Sequence, residues 1–177
     1  MPAPNRDMGP CSVIWDFGGT PIELNPTFGD VTFKDELTYG EVKEDGHGVT
    51  PVDAVPTGRI VEIAFPMTRS SLTQLEVAIQ GSVKDIVVGN LKVSNLVGRA
   101  VAQDAKEVVV KPLENNVPTG NADEWLHLHL AYPFSNLEWV YNPDGQRITA
   151  VKMIALPLMD TASGVQPGEM WRMGPLA

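Results

Sequence analysis

Short runs in which apolar and polar residues alternate, punctuated by glycine and proline, predict a mainly β fold in two layers with one short flanking α-helix. Three features carry that expectation. Runs such as Val13-x-Trp15-x-Phe17 and Val61-x-Ile63-x-Phe65 put every second apolar side chain on one strand face. Only residues 71–79 switch clearly to helical spacing. The tetrapeptide Asn142-Pro143-Asp144-Gly145 sets a tight reversal inside a long hairpin over residues 136–160, because Pro143 presets one turn dihedral and Gly145 supplies a positive φ.

Taken in order, residues 11–39 read as short strands separated by turns: Val13 and Trp15 alternate with Ser12 and Ile14, Gly18-Gly19 interrupts, Ile22 and Leu24 flank Glu23, and Val31 and Phe33 flank Thr32. Residues 44–58 hold Gly46, Gly48, Gly58, Pro51, Pro56 and His47 among few strand formers, and are expected to form a projecting loop that orders against a partner. The bland alternative is a surface loop without a role. Arg59 to Phe65 reads as a strand closed by Pro66. Ser71 lies three residues ahead of Gln74, the capping-box spacing, and Leu72, Leu75 and Ile79 share a stripe before Gly81 stops the helix. So short a helix must lay that stripe on a sheet.

Residues 86–88, 91–93 and 108–110 are expected strands, with Gly89-Asn90 as a hairpin turn between the first two; residues 95–106 fit helix or irregular chain equally. Residues 114–123 are a polar connection. From Trp125 to Ala131, Leu126, Leu128 and Leu130 fall on one strand face and His127 and His129 on the other. In the hairpin, Leu137, Trp139 and Tyr141 line the outgoing side. The return side, residues 148–156, is apolar on both faces and must be covered twice, by a second layer or by a neighbouring subunit. The tail from Thr161 is rich in glycine and proline until Met170-Trp171-Arg172-Met173-Gly174, which is expected to dock on its own core or on another copy. No boundary divides the 177 residues, so residues 1–177 are expected to form one domain with an N-terminal arm (1–10), a projecting loop (44–58) and a C-terminal arm (161–177).

With 43% hydrophobic residues the composition is that of a folded chain, and no apolar run approaches the length that spans a bilayer. Residues 1–10 have no apolar stretch of the kind a secretory signal needs, and the single Cys11 rules out an internal disulfide framework, so synthesis inside the cell is expected. The net charge of -9, from 22 acidic and 13 basic residues, argues against gripping nucleic-acid phosphates. It suits a surface past which DNA slides without sticking, and equally one that only keeps a protein in solution.

Enzymatic signatures are weak. His127-x-His129 could share a metal, since residues two apart on a strand point the same way, but a third ligand would have to be His47 or a carboxylate, and a polar strand face commonly carries hydrogen-bonded histidines. The triplet Asp16-Phe17-Gly18 matches the metal-binding triplet of protein kinases without that fold's glycine-loop and catalytic-loop partners. There is no nucleophile elbow and no phosphate-cradling glycine loop, and Cys11 has no evident base. No catalytic residue, cofactor site or metal site is assigned, and an enzyme is not expected.

The order of elements resembles that of the tail tube (major tail) proteins of long-tailed bacteriophages and related injection-system tubes. The residues that carry the resemblance are Gly18-Gly19-Thr20 after the first strand, the loop 44–58, the helix 71–79 and the terminal Met170-Trp171-Arg172-Met173-Gly174. The resemblance is one of architecture and covers nearly the whole chain. It implies a β-sandwich or small-barrel protomer and hexameric rings stacked into a hollow tube for DNA delivery. Stacking would run through residues 44–58, 1–10 and 170–174. The implied partners are copies of the same chain together with sheath, tape-measure and baseplate proteins, and no membrane. DNA would pass through the lumen without specific binding, past Glu41 and Lys43 or Asp30 and Thr32. The place implied is the tail of a virion assembled in the bacterial host cytoplasm. The alternatives are the inner tube of a type VI secretion-like system, a baseplate or tail-fibre protein binding carbohydrate or protein through Trp125, Trp139 and Tyr132, and a metal hydrolase centred on His127 and His129.

Overall fold

A computed structural model describes residues 10–24, 30–43, 51–67, 71–95, 97–134, 149–159 and 167–175. The mainly β class with one short helix is what it contains. Strands β1 (Cys11–Trp15), β2 (Ile22–Glu23), β3 (Thr32–Lys43), β4 (Pro51–Met67), β7 (Lys106–Glu114), β9 (Leu126–Pro133) and β10 (Thr149–Ala155) lie side by side in the order β2-β1-β7-β9-β10-β4-β3. Every pairing in that path is antiparallel. Two short strands, β8 (Val117–Pro118) and β11 (Trp171–Met173), add to β7 and β9. Apart from these, β5 (Ser82–Asp85) and β6 (Asn90–Val93) form a separate two-stranded hairpin. Among the described residues the main sheet does not close on itself; β2 and β3 end it.

The inward face of this sheet explains why it curves. Val13 and Trp15 of β1, Val108 and Val110 of β7, Leu128 and Ala131 of β9, Val151 and Met153 of β10 and Val61, Ile63 and Phe65 of β4 meet in one buried cluster. Alternation puts those residues on a common face, and a flat sheet could not bring both its ends into one core. Helix α1 (Leu72–Ala78) closes the cluster with Val77 and Ala78. The capping box forms as expected: Gln74 N–H donates to the Ser71 hydroxyl and Ser71 N–H to the Gln74 side chain. The buried stripe differs from expectation, since Leu72 is exposed and Leu75, Val77 and Ala78 carry the contact. Gln74 also donates its side-chain amide to the Glu23 carbonyl at 2.9 Å, tying the start of the helix to β2.

Several expectations are corrected by the register. Residues 51–58 are not a loop but the outer half of β4, paired with β3 from Tyr39↔Pro56 to Lys43↔Pro51; residues 44–50 lie outside the described chain. The prolines that suggested a loop sit beside two register shifts, where Thr57 and Val52 are the extra residues, and only one edge of β4 is paired there. Residues 86–88 are not a strand but the tip of the β5–β6 hairpin, whose pairing ends at Asp85↔Asn90. In the polar connection 114–123, Asn115 and Asn116 both take positive φ (52° and 64°) and make a tight hairpin between β7 and β8.

The strand covered on both faces is β9 rather than the expected 148–156. On β9, Leu128 and Ala131 face the core while His127 and His129 are buried behind the sheet; on β10 only Thr149, Val151, Met153 and Ala155 are buried. A central place between β7 on one side and β10 and β11 on the other explains the difference. One extra residue of β9 between the pairs Val108↔Leu128 and Lys106↔Ala131 shifts the alternation, so Leu130 does not continue the face of Leu128. Strand β10 pairs with β9 in a register whose numerical midpoint is residue 143, within the expected turn, although that turn and Leu137, Trp139 and Tyr141 lie outside the described residues.

Candidate assembly surfaces

The pairing of β4 with β10 stops at Glu62, whereas its pairing with β3 runs on to Pro51. The outer halves of β3 and β4 therefore project beyond the sheet as a two-stranded arm. Directly opposed residues share a face, so Leu37, Tyr39 and Pro56 lie on one side of the arm and Ile60, Val55 and Val42 on the other. All are exposed, Tyr39 by 59% and Val55 by 51%. A two-stranded ribbon with apolar side chains on both faces is marginal in water on its own. The outer edge of β3 has no strand partner among the described residues and offers a row of backbone donors and acceptors.

Charged pairs keep the arm soluble without holding it. Lys34 meets Glu36 at 2.6 Å and Lys43 meets Glu41 at 3.1 Å, both about half exposed, and such pairs contribute little. Glu41 and Lys43 lie on the Tyr39 face and Thr32 on the opposite one, so the two pairs suggested for a lumen do not line the same surface. Asp30 is exposed just before β3.

At its root the arm is fastened by the C-terminal strand. Trp171 in β11 donates its indole N–H to Asp35 Oδ2 at 3.0 Å, packs edge-on against Phe33 at 5.1 Å between ring centres, and leaves Asp35 Oδ1 to an ion pair with Arg59 at 3.0 Å. The segment from Met170 to Gly174 thus docks on its own chain, as Trp171↔Leu128 to Met173↔Leu126, instead of extending as a free arm. Residues 1–9, most of the expected N-terminal arm, lie outside the described chain.

Each histidine of the His127-x-His129 pair has its own carboxylate. His127 Nδ1 is 3.0 Å from Glu107 Oε1, and His129 Nε2 is 3.1 Å from Glu169 Oε1, which also accepts from Arg172 Nε at 2.7 Å. Among the described residues no group of three or more histidine, cysteine or acidic side chains could hold a metal. Both histidines are buried and hydrogen-bonded, and alternation alone does not distinguish such a face from a solvated one.

The Asp16-Phe17-Gly18 triplet is part of that cover. Asp16 leaves β1 with φ 55°, donates its N–H to the Glu107 carbonyl at 2.8 Å, and directs Phe17 over the outer face of β7 and β9. There Phe17 meets Trp125 and His127 edge-on, and Lys111 Nζ rests 3.5 Å from the Trp125 ring centre. Burial against these rings lowers the Lys111 pKa. Trp125 and Tyr132 stand at opposite ends of β9 and Trp139 is not described, so no aromatic platform is assembled among the described residues.

No protein-family model matches the chain, and no curated protein sequence does either. Solved structures are informative about shape. A chain of the anti-feeding prophage baseplate, determined with 6-fold symmetry imposed, superposes with a TM-score of 0.51 at 13% identity, covering 98% of this chain and 98% of that one. A chain of the sheath-tube complex of an extracellular contractile injection system in its extended state gives a TM-score of 0.50 at 11% identity, over 87% of this chain and 88% of that one. At such identities the likeness is one of fold.

Proposed function

We propose that the chain is a structural subunit that forms rings, hexameric in the simplest case, and stacks them into the hollow tube of a phage tail or tail-like injection particle. The observation that carries the reading is the β3–β4 arm, with apolar side chains on both faces and an outer edge that has no strand partner among the described residues. An arm of that kind is stabilised when a neighbouring copy covers it and continues the sheet, and repeated head-to-tail pairing about an axis closes a ring. The shared fold with chains of a baseplate and a sheath-tube complex supports the same reading. So does the net charge of -9, because an acidic lumen makes no phosphate-neutralising contacts with DNA in transit.

In this reading Glu41, Lys43 and the outer face of β4 and β10 become contact or lumen surfaces, and no residue performs chemistry. Sheath, tape-measure and baseplate proteins would be the remaining partners. The particle would assemble in the bacterial cytoplasm; among the described residues no helix is long and apolar enough to cross a membrane. The near-complete overlap with a baseplate chain favours a second arrangement, a single ring at the end of a tube.

Electron microscopy of the purified chain, with its assembled mass measured in solution, tests the proposal. Hollow rings or stacked tubes are expected, and rings that never stack would select the baseplate arrangement. Monomers at every concentration up to millimolar, with Tyr39→Asp behaving like the unaltered chain, would overturn both.

A further inference from the structure

The β5–β6 hairpin ends in three consecutive β-branched residues that face water: Ile86, Val87 and Val88 are exposed by 87%, 95% and 69%. Chain mobility does not account for this. Asp85 Oδ1 accepts the N–H groups of both Val87 and Val88, Gly89 N–H closes onto the Asp85 carbonyl at 2.9 Å, and Lys92 pairs with Asp85 Oδ2 at 3.0 Å. The hairpin is in turn tied to α1, with Lys84 N–H on Glu76 Oε1, Lys84 Nζ on Thr73 and the Ser82 hydroxyl on the Glu76 carbonyl. A turn held by its own hydrogen bonds and braced on a helix presents its apolar tip with little conformational entropy left to lose.

The same chain carries a recess of matching character. A groove of about 410 Å3 opens between the end of α1 and the start of the hairpin, floored by Trp15, Ile22, Val77, Ile79 and Pro133. Its rim holds Asp104, whose Oδ1 is bound by Arg99 at 2.6 Å while the buried Oδ2 has no hydrogen-bond partner. An apolar floor with one carboxylate oxygen lacking a donor suits an apolar knob with a donor beside it, and the tip is followed two residues on by Asn90, whose side-chain amide can donate.

We propose that the hairpin is a peg that seats Ile86, Val87 and Val88 in the α1 groove of a second copy, with the Asn90 side-chain amide supplying the missing donor to Asp104. The occupant is another copy because both halves of the contact are present on one chain, the peg at the tip of the hairpin and the groove at its base, so that one copy's peg meeting the next copy's groove makes a head-to-tail contact that can repeat. Three aliphatic side chains fall well short of the roughly 1,200–2,000 Å2 that a stable binary interface buries. The contact therefore acts beside others, fixing how copies that already touch are placed. It is separate from the β3–β4 arm and does not rest on the tube reading.

The test is a mixed disulfide between copies. In a Cys11→Ser background, one preparation carries Val87→Cys and another Gln80→Cys, Gln80 being a groove residue. The two are mixed and oxidised, with Thr119→Cys replacing Gln80→Cys as the control. Covalent dimers at least tenfold above the control are expected, and adding Val88→Asp to the peg should reduce them about tenfold or more. Cross-linking no greater than the control, or unaffected by Val88→Asp, would overturn the peg. Rings without the mixed disulfide would leave the tube reading standing and remove this one, and the mixed disulfide without rings would do the reverse.

Discussion

Replacing Trp171 by Phe removes one hydrogen-bond donor at the place where the C-terminal strand meets the root of the arm. The ring contact with Phe33 can persist, so the change isolates the 3.0 Å bond from indole N–H to Asp35 Oδ2. A hydrogen bond to a charged group contributes about 1.5–3 kcal/mol when both partners are shielded. Here the Asp35 side chain is 19% exposed and keeps its ion pair with Arg59, so the cost should fall to about 1–2 kcal/mol. For a chain of this size that corresponds to a melting temperature lower by about 3–6 °C. Urea titration of Trp171→Phe, Asp35→Asn and the double variant would give the coupling, and hydrogen exchange should show faster opening on the Asp35 and Arg59 segments than in the core strands. A loss below about 0.5 kcal/mol, or additive single changes, would refute the idea that β11 fastens the arm.

Three further outcomes follow from the geometry. Ser71→Ala should cost about 1 kcal/mol in chemical denaturation, because it unmakes the capping box of a helix with only seven residues. Glu107→Gln should leave stability within about 1 kcal/mol by keeping an acceptor for His127 Nδ1, whereas Glu107→Ala should cost about 1–3 kcal/mol by stranding that buried nitrogen; equal losses would show that the bond is immaterial. Burial pushes the Cys11 thiol from 9.0 up to about 11, so maleimide labelling of the folded chain should stay slow near pH 9 and rise toward pH 11. Since the folded value is the raised one, the stability associated with the protonated thiol is present below about pH 9 and lost as pH climbs through about 11, a loss that Cys11→Ala should abolish.

Much of the fold was legible because it depends on local periodicity. Alternation around Val13, Val61 and Val108 reports which residues face a core, and Ser71 with Gln74 reports a helix start, whatever the rest of the chain does. The errors have a common origin. Pro51 and Pro56 read as loop because sequence does not say which strand edge is paired, and residues 86–88 read as strand because β-branched residues at a hairpin tip have the composition of a buried strand. The candidate surfaces were legible only in part. Residues 51–58 read as loop where β4 in fact continues, and nothing in the sequence distinguished the exposed Ile86, Val87 and Val88 from the buried Val108, Val109 and Val110.

By itself the sequence determined the β class, the capped helix and the acidic charge, since each depends on residue type and spacing within a few positions. Only the tertiary structure decided which strand is buried on both faces, that the C-terminal tryptophan holds the root of the arm, and where apolar side chains are left in water. Those depend on contacts between residues far apart in the chain, such as Asp35 with Trp171 and Glu107 with His127, which no local pattern encodes.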